Sequence, residues 1–188
     1  MIKERVETEM RFITIQHKNV LSEIKKRGFY KLDGNKFIPD CRIKAYDFMK
    51  KFYGYSTYPI FLCPEGHRVE MYGATFDDDS VAIELEIPDE HVKFHEYYDW
   101  CDFLYYTQYP KDFKETYGDD FDIYSFGKSI LDTKCNPTHG MEVCAATVDH
   151  IDKAWLIGYT ASKKKLAHIE DMHDGSGGNN ILMELSKY

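Results

Sequence analysis

The residues with the clearest chemical potential are Glu84 and Glu86, inside the stretch Val81-Ala-Ile-Glu-Leu-Glu-Ile-Pro-Asp-Glu-His-Val-Lys-Phe. Ile83, Leu85 and Ile87 alternate with the two glutamates, which is the period-2 pattern of a half-buried strand. Pro88 cannot donate to a ladder, so the strand ends there and a short return follows. The pattern sets two carboxylates side by side on one face while the other face enters the core. If they have no chemical task, they form the wet face of an antiparallel strand.

Histidine and cysteine spacings raise metal binding as a second chemistry. Cys63 and His67, and Cys135 and His139, share one spacing, and His91 and His95 are four apart. Zinc takes four such ligands in a tetrahedral set. Structural zinc pairs sit closer together on a knuckle, and His91/His95 follows a proline-terminated strand. The expectation is therefore buried cysteines without partners, surface histidines and no metal. No cysteine lies in a recognised nucleophile motif, although the partners in a Cys–His site are distant in sequence. The segment Asp174-Gly-Ser-Gly-Gly-Asn offers backbone N–H groups of the kind that cradle phosphate. It does not join a clear strand to a clear helix, and so reads as a flexible loop.

The elements that must position these groups are short and mixed. Arg11–Gln16 reads as a first strand, preceded by a frayed polar segment over residues 1–10. A helix starting at His17 or Asn19 carries Val20, Leu21 and Ile24 and ends at Gly28. A second follows Pro39 and closes at Gly54. Tyr58–Cys63 is a short apolar strand, Pro64–His67 a turn, and Arg68–Tyr72 a further strand. His95–Tyr109 has helical spacing and stops before Pro110. Residues 111–140 are polar and Asp-rich and read as loop. Val143–Thr147 is a strand, 151–159 a strand with or without a short helix, and 163–172 a helix. Ile181–Leu185 is a last strand. Without strict βαβ alternation, the order implies one α+β domain over residues 11–188, with a mainly antiparallel sheet and flanking helices.

Bulk properties narrow the function. The chain has 188 residues, enough for a core without staples, and a net charge of −8. That charge argues against broad nucleic-acid binding, which needs lysine and arginine along many phosphates. The runs Lys25-Lys26-Arg27 and Lys163-Lys164-Lys165 read as solvated faces. Five cysteines without a CxxC fit a reducing cytoplasm better than a disulfide scaffold. The charged N-terminus has no apolar core of a signal peptide, and no apolar run approaches membrane-spanning length.

Several segments resemble one family, in the same order. They are Phe12-Ile-Thr-Ile-Gln, Leu21 with Gly28, Ala45-Tyr-Asp-Phe-Met, Tyr58-Pro-Ile-Phe, Glu84-Leu-Glu-Ile-Pro-Asp-Glu-His-Val, Asp99-Trp, Ala146-Thr and Ala154-Trp. Together they resemble the bacterial family called domain of unknown function 3841, over about residues 11–160. Phe61 stands where the family carries Trp, Tyr105 where it carries Asn, and Ala145 where it tends to carry Gln. More distantly, the order resembles the ADP-ribosyltransferase-like fold, which implies NAD as cofactor. Such a reaction breaks the nicotinamide–ribose bond through an oxocarbenium-like transition state, so a fixed carboxylate near the ribose is the useful group. By that resemblance Glu84 and Glu86 are the catalytic candidates, with Glu142 as another acid. Gln16 or His17 would hold the adenine-side ribose, and Tyr58 would stack on nicotinamide.

A second class of function comes from the aromatic content, 15% of the chain. An acidic, tyrosine-rich domain can serve as a non-enzymatic interaction module, with a contact patch drawn from Tyr97, Tyr98, Trp100, Tyr105, Tyr106 and Tyr109. Helical spacing puts Tyr98, Tyr105 and Tyr109 near one face and Tyr97, Trp100 and Leu104 near another. One face must pack inward, so only one set is free. The two readings differ in what they need: a nucleotide site requires Glu84/Glu86, Gln16/His17 and Tyr58 to converge, whereas a docking module requires an exposed aromatic patch.

Overall fold

The computed structural model describes residues 9–34, 38–68, 74–133, 135 and 143–171. Within them the fold is α+β with a mainly antiparallel sheet, as the mixed elements imply. The elements are β1 (Glu9–His17), α1 (Lys18–Arg27), β2 (Phe29–Tyr30), α2 (Ile43–Tyr53), β3 (Ile60–Pro64), β4 (Ser80–Pro88), β5 (Lys93–Glu96), α3 (Tyr97–Gln108), α4 (Pro110–Tyr117), α5 (Ile123–Asp132), β6 (Cys144–Val148), β7 (Ile151–Asp152), β8 (Leu156–Thr160) and α6 (Lys163–Asp171). Among the described residues no helix is long and apolar enough to cross a membrane. The expected strand at 68–72, the loop after Asp174 and the strand at 181–185 lie outside the described residues, apart from Arg68.

The chain divides into two compact units, the first comprising residues 1–30, 62–92 and 151–188, and the second 31–61 and 93–150. In the first unit β1 lies between β3 and β4, and β4 between β1 and β8. The β1–β4 ladder runs without interruption from Glu9↔Pro88 to His17↔Ser80. The strand ends at Pro88, where the missing N–H stops the ladder. α1 begins with the His17 ring, whose Nδ1 accepts from the Asn19 N–H at 3.2 Å. It ends at Gly28, whose φ of +85° only glycine adopts without strain. Ile13, Cys63 and Ala82 pack with Leu166 and Ile169 of α6.

In the second unit β5 pairs with β6, with His95 opposite Ala145. The helical core gathers Ala45 and Met49 of α2, Trp100 and Phe103 of α3, and Ile130 and Leu131 of α5. The close approach of α3 and α5 depends on Gly127, where an added Cβ would lie 2.4 Å from the Phe103 ring.

Two expectations are corrected in this unit. Residues 111–140 are not simply loop, because α4 and α5 occupy much of the stretch. Pro110 starts α4, since a proline at the first helical position gives up only an N–H that has no partner in the helix. Asp122 caps α5, its Oδ2 accepting from the Ser125 N–H at 2.8 Å. The cysteines are not all unpartnered either: Cys135 and Cys144 form a disulfide with Cα atoms 5.8 Å apart, leaving Cys41, Cys63 and Cys101 as thiols.

Candidate functional site

The uninterrupted β1–β4 register decides which sequence-derived candidates share a face, because directly opposed residues point to the same side. Arg11, Ile13, Ile15 and His17 stand on one side with Glu86, Glu84, Ala82 and Ser80. Phe12, Thr14 and Gln16 stand on the other with Leu85, Ile83 and Val81. Gln16 is thus on the opposite face from both glutamates, and its Nε2 donates to Thr14 Oγ1 at 2.8 Å. His17 shares their face, but its ladder partner Ser80 is four residues from Glu84, about 13 Å along the strand.

The two glutamates also differ in setting. Glu84 is not on a wet face: it is only 4% exposed. β1 and β8 flank β4, and α6 packs on the cluster that includes Ala82, on the same face as Glu84. Its cross-strand neighbour is Gly158, where an added Cβ would lie 2.8 Å from Glu84 Oε1. Glu86 is half-buried, and its Oε1 accepts from Arg11 Nε at 3.2 Å. Burial and neutralisation thus separate a pair that alternation alone presented as equivalent.

Tyr58, in the second unit, donates its hydroxyl to Asp47 Oδ1 at 2.7 Å, and Lys50 Nζ lies 4.9 Å from its ring centroid. The bond to Asp47, more than burial, raises the phenol's pKa. Glu142 lies outside the described residues.

Among the described residues the metal spacings do not assemble a ligand set, and His139 lies outside them. The Cys63 thiol donates to the main-chain oxygen of His67 at 3.3 Å. His91 sits in a 3₁₀ turn with its ring 5.0 Å from Trp155, whereas His95 is on strand β5, so the two do not share a helix. Among the described residues no group of three or more metal-ligating side chains is present. His95 is fully buried, with its ring 6.0 Å from Phe61 and 5.7 Å from Trp100, and neither ring nitrogen has a hydrogen-bond partner among the described residues. Burial lowers its pKa from 6.5 to about 3.

What the second unit does present is an aromatic surface on α3, α4 and the start of α5. Trp100, Phe103 and Thr107 are the buried face of α3. Tyr98 and Tyr105 on α3 and Tyr109 just after it are exposed, at 58, 46 and 52%; of the set expected on the other face, Trp100 is buried and Tyr97 and Leu104 are half-buried. Tyr105 lies against Tyr109 with centroids 4.9 Å apart and planes tilted by 40°, and Tyr106 joins Tyr105 to Tyr117 at 5.4 and 5.7 Å. Tyr117 continues to Phe121, which is 64% exposed.

Carboxylates frame these rings. Asp112 accepts the Tyr105 hydroxyl, which raises that phenol's pKa. Burial, then Tyr106, and then Asp102 and Asp99 of α3 raise that of Tyr117 on α4. Sequence reading missed Tyr117, Phe121 and Tyr124 because it took their segment for loop. The available signals were the i, i+4 pair Phe113/Tyr117 and the Asp122 cap. Comparison with protein-family models, curated proteins and solved structures finds no match to this chain.

Proposed function

We propose that this chain is a protein-interaction module whose second unit docks a polypeptide partner on the tyrosine-rich face of α3–α5. The observation that carries this reading is the continuous run of exposed or half-exposed rings from Tyr109 through Tyr105, Tyr106 and Tyr117 to Phe121. Tyrosine suits such a surface: each ring offers a large, stiff contact area with a polar tip that stays hydrated until a partner arrives. Tyr106 and Tyr117 lie against Phe126, which packs on the core of Trp100, Phe103, Ile130 and Leu131, so the middle of the face is held in shape before binding, which lowers the ordering cost of association.

The alternative, an NAD-linked transferase, would draw Gln16, His17, Glu84, Glu86 and Tyr58 into one site. The opposite face of Gln16, the burial of Glu84 and the pairing of Glu86 with Arg11 favour the interaction reading. The test is quantitative capture from bacterial extract by wild type and by a Tyr105→Ser/Tyr109→Ser variant with an unchanged circular-dichroism spectrum, beside calorimetric titration of NAD. A partner enriched by wild type and lost with the variant supports docking. NAD binding that is lost in Glu84→Gln/Glu86→Gln, with capture indifferent to the tyrosines, overturns it.

A further inference from the structure

We infer that the partner segment received by this face is arginine-rich, an inference that rests on the docking reading above. Charge carries the first part. Residues 96–122 hold eight carboxylates against two lysines, so a net −6 of the chain's −8 lies in this one segment. One of those lysines, Lys114, is engaged with Asp119 at 3.1 Å. Such a surface repels phosphate backbones. An uncharged apolar partner would strip water from carboxylates without replacing it, which is costly. A cationic partner removes that cost.

The rings decide between the two kinds of cation. Tyr105 and Tyr109 present an exposed pair of rings with centroids 4.9 Å apart, tilted by 40°, with Asp112 held on the Tyr105 hydroxyl. Asp99 and Asp102 act electrostatically on Tyr117. The face therefore offers flat π surfaces beside carboxylates. A guanidinium is planar and weakly hydrated, stacks on a ring, and still presents N–H pairs to a neighbouring carboxylate. An ammonium keeps its water more strongly and meets a carboxylate as a point charge. α3 is about 18 Å long, so about six extended residues span it, enough for several arginines to engage ring and acid together.

The experiment measures fluorescence anisotropy with two labelled peptides of equal length and charge, one of Arg-Gly and one of Lys-Gly repeats, on the full chain. The expected result is a Kd roughly fivefold lower for the arginine peptide. Asp99→Asn/Asp102→Asn should weaken both peptides. Tyr105→Leu/Tyr109→Leu should bring the arginine peptide down to parity with the lysine peptide, and Tyr98→Leu/Tyr109→Leu serves as a second variant that leaves the Tyr105–Asp112 bond in place. Equal affinity of the two peptides for wild type, or an arginine preference that persists in both tyrosine variants, overturns the inference. If that happens while the captured partner is still lost with Tyr105→Ser/Tyr109→Ser, the docking face stands and only the partner class falls. If capture is also indifferent to the tyrosines, both readings fall together.

Discussion

His95 makes the stability of the fold depend on pH below 6.5. Its ring is fully buried against Phe61 and Trp100, and neither nitrogen has a partner among the described residues. Burial holds its folded-state pKa near 3, against 6.5 for an exposed histidine. The unfolded chain therefore takes up a proton as pH falls through 6.5, while the folded chain does not until about pH 3. The side binding more protons gains from acid, so stability is fully present above 6.5 and falls steadily below it. Linkage puts the loss at about 2 kcal/mol by pH 5, rising by about 1.4 kcal/mol per further unit.

Asp77, Asp122 and Asp149, whose pKa values are lowered, contribute losses only as pH falls below their ordinary 3.8. The assay is urea unfolding of wild type and His95→Phe between pH 7.5 and 4.5. Phe matches the aromatic surroundings and removes two buried polar atoms, so the variant should be at least as stable as wild type at pH 7.5. It should overtake wild type by about 2 kcal/mol at pH 5. Parallel curves across the whole range would refute the reasoning. His95→Leu repeats the comparison without the ring.

Other consequences follow from single contacts. Gly127→Ala sets a Cβ 2.4 Å from the Phe103 ring, so urea melts should show a loss of about 1–3 kcal/mol from overpacking between α3 and α5. Asp149 accepts from the Thr57 N–H at 3.0 Å and from Ser56 Oγ at 2.9 Å; Asp149→Ala leaves a part-buried amide without its acceptor and should cost about 1–3 kcal/mol. The Cys135–Cys144 bridge closes a loop with a sequence separation of 9, so reduction should lower stability by roughly 2.5 kcal/mol. Thiol titration in denaturant should count three reactive cysteines before reduction and all five after it.

The limits of sequence reading follow from where each signal resides. β1, α1 with its Gly28 stop, α2 with Gly54, β4 ending at Pro88, β6 and α6 were legible because caps, turn glycines and periodicity act over a few residues. The faces of α3 were legible for the same reason. α4 and α5 were not, because the Asp-rich link over residues 118–122 and the glycines at 118 and 127 mask the apolar stripes of Phe113 and of Ile130 with Leu131, which are recognised only once something packs on them.

By itself, then, the sequence determined the α+β class, the position of many elements, the acidic balance and the grouping of Tyr98, Tyr105 and Tyr109 on one side of α3, leaving open whether that side or the one with Trp100 packs inward. Only the tertiary structure decided that Glu84 is buried while Glu86 meets Arg11, that Gln16 faces away from both, that His95 belongs to a strand inside an aromatic cage, and that Cys135 meets Cys144. For the glutamates and His95 the physical reason is the same. Alternation fixes which side chains share a side, but whether that side is wet depends on the strands and helices laid against it, and those come from residues far along the chain.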